Sequence, residues 1–186
     1  MTEQSRREHI IDAANDLFHK QGYNKTSIAD IANQLGITKG NLQYHFRSKD
    51  DLLAAIINAR MENMANALQR FEKENADPKE RLKRIVQMVQ DEQEGLISYG
   101  CSIGSINVEL GKGQRPLQQL SLQMFEQQKE WIEQAFTELG KENAKTLSMH
   151  MLSMIQGAVL MSYAYNDGKV LQKECGFIKQ WIDEIV

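Results

Sequence analysis

A chain of 186 residues suffices for one helical domain or for a small domain beside a larger one, and 41% hydrophobic with 25% charged residues excludes disorder and predicts a packed core. The net charge of −3 excludes a strongly basic surface, although residues 1–50 hold seven Lys+Arg against six Asp+Glu and the remainder 15 against 19, so the mild positive excess lies at the front. Two cysteines, Cys101 and Cys175, exclude a disulfide framework or zinc site and suit a reducing cytoplasm, and no window approaches the roughly 18 to 20 apolar residues of a membrane span.

With only two prolines and much Gln, Glu, Lys, Leu and Met, propensity favours helix nearly everywhere, and an all-α fold is expected. The first helix is predicted to start at Ser5, in a capping box with Glu8, and to carry Ile10, Ile11, Ala14, Leu17 and Phe18 as far as Gly22. No apolar run long enough for a signal peptide follows Arg6 and Arg7. Tyr23 to Thr26 reads as a connection, and Thr26 or Ser27 caps a second helix with Ile28, Ile31, Ala32 and Leu35 at helical spacing. Gly36 ends that helix and Thr38 caps a third, running to Phe46. These three helices are expected to pack on Ile11, Ala14, Phe18, Ile28, Ile31, Leu35, Leu42 and Phe46.

Ser48, followed by Asp50 and Asp51, starts a long helix predicted to reach about Asn75. Asp77-Pro78 caps the next, which is expected to fade in the acidic stretch Asp91 to Gly95. Tyr99 to Asn107 is rich in small residues and reads as an irregular or short helical element. Gly111-Lys112-Gly113 breaks the chain, Pro116 opens a long helix, and Gly140 closes it. From Asn143 the apolar positions Leu147, Met151, Met154, Ala158, Met161 and Tyr165 form a heptad-like seam. After Asn166-Asp167-Gly168, a final helix carries Phe177, Ile178, Trp181, Ile182 and Ile185.

Two short helices joined by a glycine-containing turn match a helix-turn-helix, whose second helix would carry Lys39, Asn41, Gln43, Tyr44 and His45, groups suited to phosphates and base edges. The same residues also fit an aromatic cap on a helical bundle, giving a protein-interaction module without DNA binding. No Gly-rich phosphate loop, nucleophile with a base, or His/Cys cluster is present, so neither an enzyme nor a cofactor or metal site is expected. His150 is read as packing or capping within its own helix.

The N-terminal fifty residues resemble the DNA-binding domain of the TetR family of transcriptional repressors. The resemblance rests on Ile10-Ile11-Asp12-Ala13-Ala14, Leu17-Phe18, Gly22-Tyr23, Thr26 to Ala32, Leu35-Gly36-Ile37, Lys39-Gly40-Asn41-Leu42, Tyr44-His45-Phe46 and Ser48 to Leu52. It implies residues 1–47 as a three-helix DNA-binding domain and 48–186 as a helical ligand-binding and dimerisation bundle. The implied protein is a homodimeric repressor on a palindromic operator in double-stranded DNA, released by a small-molecule effector. By position, Lys39, Asn41 and Gln43 would face bases or sugars, while Thr26, Ser27, Tyr44, His45 and Lys49 would hold phosphates and Thr38 would cap beside them. Gln43 replaces an aromatic common in relatives, and glutamine can pair with adenine.

Gly100-Cys101-Ser102-Ile103-Gly104 also resembles a subgroup of the family in which some members sense electrophiles or oxidants through the equivalent cysteine and others bind flavonoids or drugs. The alternative effector mechanism is therefore a thiol switch at Cys101, although its neighbours in sequence are not basic. For an apolar or aromatic effector, Met88, Cys101, Met124, Trp131, Met154 and Tyr163 are the candidate lining. For the dimer interface the candidates are Leu147, Met151, Met154, Gly157, Ala158, Met161, Phe177, Ile178 and Trp181.

Overall fold

A computed structural model describes every residue except Met1, Lys112 and Gln114. Lys112 of the predicted break thus lies outside the described residues. Among those described, the chain is helical and forms no strand, as expected from its composition. The helices are α1 (Glu3–Gln21), α2 (Ile28–Gln34), α3 (Lys39–His45), α4 (Lys49–Glu74), α5 (Pro78–Asp91), α6 (Gln93–Tyr99), α7 (Ser102–Leu110), α8 (Arg115–Glu138), α9 (Ala144–Tyr165) and α10 (Gly168–Ile185). Two compact units emerge, residues 1–62 with 105–124 and residues 63–104 with 125–186.

In the first unit most helix starts follow the local chemistry. Ser27 and Asp30 form a reciprocal capping box on α2, Thr38 accepts the Asn41 N–H on α3, and Ser48 accepts the Asp51 N–H on α4. The start of α1 differs from expectation. Thr2, not Ser5, is the cap, and Ser5 supplies the N–H that the Thr2 hydroxyl accepts, while the Glu8 carboxylate takes the Gln4 side-chain amide instead of closing a box. Gly36, at φ +64°, turns the chain between α2 and α3, and the Ile37 N–H closes back on the Ala32 carbonyl at 3.0 Å.

The core of this unit is Ile10, Ala14, Leu17, Phe18, Ile31, Ala32, Leu42 and Phe46 together with Leu52, Leu53, Ile56 and Ile57 from the first turns of α4. Ile10 takes the inward place expected of Ile11, and Ile28 and Leu35 are only half-buried. Tyr23, expected in a plain connection, is fully buried with its ring edge-on to Phe18 at 5.1 Å.

The second unit is built on one apolar cluster that takes Leu68 and Phe71 from α4, Leu82, Ile85 and Val86 from α5, Trp131, Ile132 and Phe136 from α8, Met151, Ile155 and Val159 from α9, and Leu171, Ile178 and Ile182 from α10. Asp77 caps α5 with Pro78 at the first position, as expected. α5 ends at Asp91, at the start of the acidic stretch as expected, but a further helix, α6, starts at Gln93 directly after Glu92 and takes in Gly95. Two polar groups reach into the apolar layer with partners: the Trp131 indole N–H donates to Glu72 at 2.7 Å, and nearly buried Arg81 pairs with Glu138.

Cys175 lies in this cluster with no exposed surface, and burial pushes its thiol up to about 11. An unfolded thiol ionises near ~8.5, so the native state gains stability from the protonated thiol that is fully present below about pH 8.5 and is lost as pH rises through about 11. At pH 8 about one native Cys175 in a thousand is thiolate. In a Cys101→Ser background, iodoacetamide at pH 8 should leave Cys175 unmodified in the native protein and alkylate it fully in denaturing urea. Comparable rates in both conditions would contradict this packing.

Candidate nucleic-acid interface

The third helix has two unlike faces. Leu42 and Phe46 point into the core, while Lys39, Gln43 and Tyr44 stand in solvent, Tyr44 at 76% exposure. His45 is half-buried, its ring edge-on to Tyr44 at 5.2 Å. Asn41 is half-buried as well, and its Oδ1 is enclosed without a hydrogen-bond donor, so its side chain is less free to reach outward than those of Lys39 and Gln43.

A groove runs past this face, lined by Asn24 to Ile28, Lys39, Gln43, Arg47, Ser48 and Lys49. Lys25, Lys39 and Arg47 are exposed and have no ion pair among the described residues, so three uncompensated cations border one surface. Such a surface attracts a polyanion despite the negative net charge of the chain.

Three candidate residues are placed otherwise than as free phosphate ligands. Thr26 is 1% exposed and its hydroxyl donates to the Gly22 carbonyl at 2.8 Å. Lys49 donates to the carbonyls of Tyr23 and Thr26 at 3.0 and 3.1 Å and sits 4.2 Å from the centre of the Tyr23 ring. Ser27 donates its hydroxyl and its backbone N–H to the Asp30 carboxylate, which holds that carboxyl below its ordinary range, and its hydroxyl oxygen accepts the Asp30 N–H. Thr38 is exposed and its oxygen is occupied by the cap, leaving its own proton to donate.

The connection from Gly22 to Ser27 is therefore held from several sides. The Tyr23 phenol donates to Asp50, and burial with that carboxylate raises it well above the ordinary tyrosine range. The Asn24 N–H donates to Glu109 of α7 at 2.9 Å. Sequence reasoning read Lys25 and Arg47, with Lys39 and Lys49, as the local cations that would have to hold DNA, but left both out of the residues carried over by position. It missed Arg7, whose guanidinium lies 4.2 Å over the Phe46 ring beside Tyr44 and His45.

Five of the six ligand candidates belong to the second unit and Met124 to the first. Met88, Cys101 and Met154 are half-buried against the core of the second unit, and Trp131 lies within it. Met124 is buried and Tyr163 is 47% exposed. Cys101 is a free, half-buried thiol whose Sγ accepts the Gly104 N–H at 3.4 Å, in the manner of a cap on α7. His150 packs on Trp181 of α10 at 5.2 Å.

Among the interface candidates, Met151, Ala158 and Ile178 are at most 4% exposed because their side chains fill the core of their own protomer, so they are corrected to core residues. Leu147, Met154 and Trp181 are half-buried against the same core. Gly157, Met161 and Phe177 do face solvent, joined by Leu160 at 63% exposure, which the heptad pattern passed over. The pattern fails because a straight helix drifts ~20° per heptad, and from Leu147 to Tyr165 that carries the seam about 50° around α9.

Residues 10–56 match the profile of bacterial regulatory proteins of the tetR family, and residues 78–174 match that of the LmrA/YxaF-like transcriptional regulator C-terminal domain. An uncharacterized HTH-type transcriptional regulator in the lacX 3′ region of Lactococcus lactis is 28% identical, over 96% of this chain and 94% of its own. The uncharacterized regulator YxaF of Bacillus subtilis is 26% identical over 87% and 86%. A TetR transcriptional regulator from Legionella pneumophila shares the fold, with a TM-score of 0.85, 24% identity and 97% of each chain covered. These matches set aside the reading as an interaction module without DNA binding. Through both its helix-turn-helix and its LmrA/YxaF-like C-terminal region, the chain belongs to the TetR family of DNA-binding transcriptional regulators.

Proposed function

We propose that this protein is a cytoplasmic repressor that binds a palindromic operator as a homodimer and is released by an apolar or aromatic small molecule. The observation that carries the DNA assignment is the solvent-facing row Lys39, Gln43 and Tyr44 on α3, flanked by unpaired Lys25 and Arg47. In this reading Gln43 pairs with a base edge, Lys39 reaches a base or its adjoining phosphate, and Tyr44, His45, Lys25 and Arg47 hold the backbone. Ser27 and Thr38 line the edge of the contact, Asn41 contributes through its amide nitrogen, and Thr26 and Lys49 act by shaping the connection. Two recognition helices in successive major grooves imply half-sites about 34 to 36 Å apart.

The dimer is supported by apolar groups left in water on α9 and α10, namely Leu160, Met161 and Phe177 around Gly157, where nothing lies within 4 Å of the position a Cβ would take. Close approach of a second copy over a glycine is favourable because backbone and flat apolar surface meet without an intervening side chain. For the effector, Met88, Met154 and Cys101 beside Trp131 offer soft, half-buried groups at the edge of the second unit's core. The effector must bind the DNA-incompetent state more tightly, since only differential affinity shifts the balance.

The direct test is selection of duplexes from a random library, followed by fluorescence anisotropy at several salt concentrations. Affinity should fall steeply with salt, and Lys39→Ala should reduce the logarithmic slope by about one per protomer. Gln43→Ala should cost about 1 to 3 kcal/mol and relax the preference at one base position. An unchanged preference would remove Gln43 from the base contacts.

Arg47→Ala should weaken all duplexes alike and leave the melting temperature within about a degree, as expected for an exposed cation. Lys49→Ala should instead lower both, by about 1 to 3 kcal/mol in stability, because two carbonyls lose their donor. Leu160→Glu should convert a dimer to monomer in light scattering at micromolar concentration, and a persistent dimer would place the interface elsewhere.

A further inference from the structure

We infer that Glu109 is a positioning residue for DNA binding, a carboxylate that fixes the Gly22–Ser27 connection in the pose that presents Lys25 to the nucleic acid. The inference rests on the DNA-facing surface proposed above and adds a residue far from it in sequence. Glu109 belongs to α7, and its Oε2 accepts the Asn24 N–H at 2.9 Å. Its Oε1 lies against Gly22, where an added Cβ would stand 2.8 Å away. Gly22 is doubly constrained, since its φ of +90° also disfavours any side chain. One carboxylate thus spans two places on the connection, at Gly22 and at Asn24 beside Lys25 in the chain, while Lys49 grips the Tyr23 and Thr26 carbonyls.

A negative charge near a phosphate-binding surface would by itself oppose DNA binding. Its presence at Asn24 is therefore informative, because the carboxylate is directed at a backbone N–H that has no helical partner and must be satisfied. The rest of α7 is held as well. Asn107 and Ser121 of α8 are joined by two hydrogen bonds, at 2.9 and 3.3 Å, and at the other end the Gly104 N–H donates to the Cys101 Sγ at 3.4 Å. Glu109 is accordingly fixed at its base, and the loop takes its position from the helix.

Charge and geometry are separated by two variants. Glu109→Gln removes the charge and keeps an oxygen to accept the Asn24 N–H, whereas Glu109→Ala removes both. Binding is measured by anisotropy with a duplex selected by the wild-type protein and with a scrambled duplex of equal length, and Asn24 amide exchange is followed by NMR on the full-length protein. Glu109→Ala should bind both duplexes about tenfold more weakly, the scale of one charge-assisted hydrogen bond, with accelerated Asn24 exchange. Glu109→Gln should stay within about twofold of wild type on both readouts.

Equal tightening by both variants would show that Glu109 acts only through its charge and would overturn the inference. So would a Glu109→Ala protein that binds like wild type with Asn24 still protected. If Glu109→Ala fails to fold, loss of affinity in the folded Glu109→Gln variant while Asn24 stays protected would equally refute it. A wild-type protein that selects no duplex would refute the base reading alone, and the Asn24 exchange rates would still decide whether Glu109 holds the loop.

Discussion

The hold of Lys49 on the carbonyls of Tyr23 and Thr26 is the interaction that fixes the connection leading into the helix-turn-helix. The connection it grips has no helical ladder and only one backbone bond of its own, Thr26 N–H to the Tyr23 carbonyl at 3.3 Å, so its other polar groups rely largely on side chains. The Tyr23 carbonyl and the Thr26 carbonyl take Lys49, the Gly22 carbonyl takes the Thr26 hydroxyl, and the Asn24 N–H takes Glu109. An ammonium withdrawn this far from water is tolerable because two carbonyl dipoles and the face of the Tyr23 ring replace part of its hydration. Tyr23 is itself pinned through its phenol to Asp50, the residue after Lys49, so the first turn of α4 holds the connection by two adjacent side chains.

The features legible in the sequence are those decided locally. Ser27, Thr38, Ser48 and Asp77 were readable as caps because each precedes an apolar helical pattern and bonds to an N–H two or three residues on. At the N-terminus that rule met two hydroxyl residues three positions apart, Thr2 and Ser5, and the backbone N–H of the second donates to the hydroxyl of the first. Ile10 and Ile11 were both apolar and adjacent, so periodicity alone left open which of them faces the core. The burial of Tyr23 and the carbonyls that Lys49 meets could not be read locally, since Asp50 lies 27 positions from Tyr23 and Lys49 lies 26 and 23 from its two carbonyls.

The two faces of α9 show the same limit at larger scale. Sequence spacing suggested one stripe, yet Met151 and Ala158 pack inward while Met161 and Tyr165 stand in water. Spacings of three and four describe both a heptad and a straight helix, and they diverge only over several turns. Burial at about 25 cal/mol per Å2 makes the inward set indispensable to the protomer, which leaves Leu160, Met161 and Phe177 as the apolar surface available to a partner. The compositional excess of apolar residues was thus a sound sign, although its division between core and surface could not be read from it.

Regulation of such a protein needs only modest energies. A hundredfold change in operator affinity is about 2.7 kcal/mol, the scale of one or two hydrogen bonds to charged groups. Those bonds are sensitive to distance and angle, and a carboxylate moved beyond about 3.5 Å from an N–H no longer satisfies it. A connection fixed by long side chains from other helices, Lys49 from α4 and Glu109 from α7, can therefore change its pose through sub-ångström to ångström shifts while every helix stays folded. A loop held by its own backbone ladder would require local unfolding to achieve the same change. The backbone groups left unpaired by the Gly22–Ser27 turn are thus what make the surface adjustable from elsewhere in the chain.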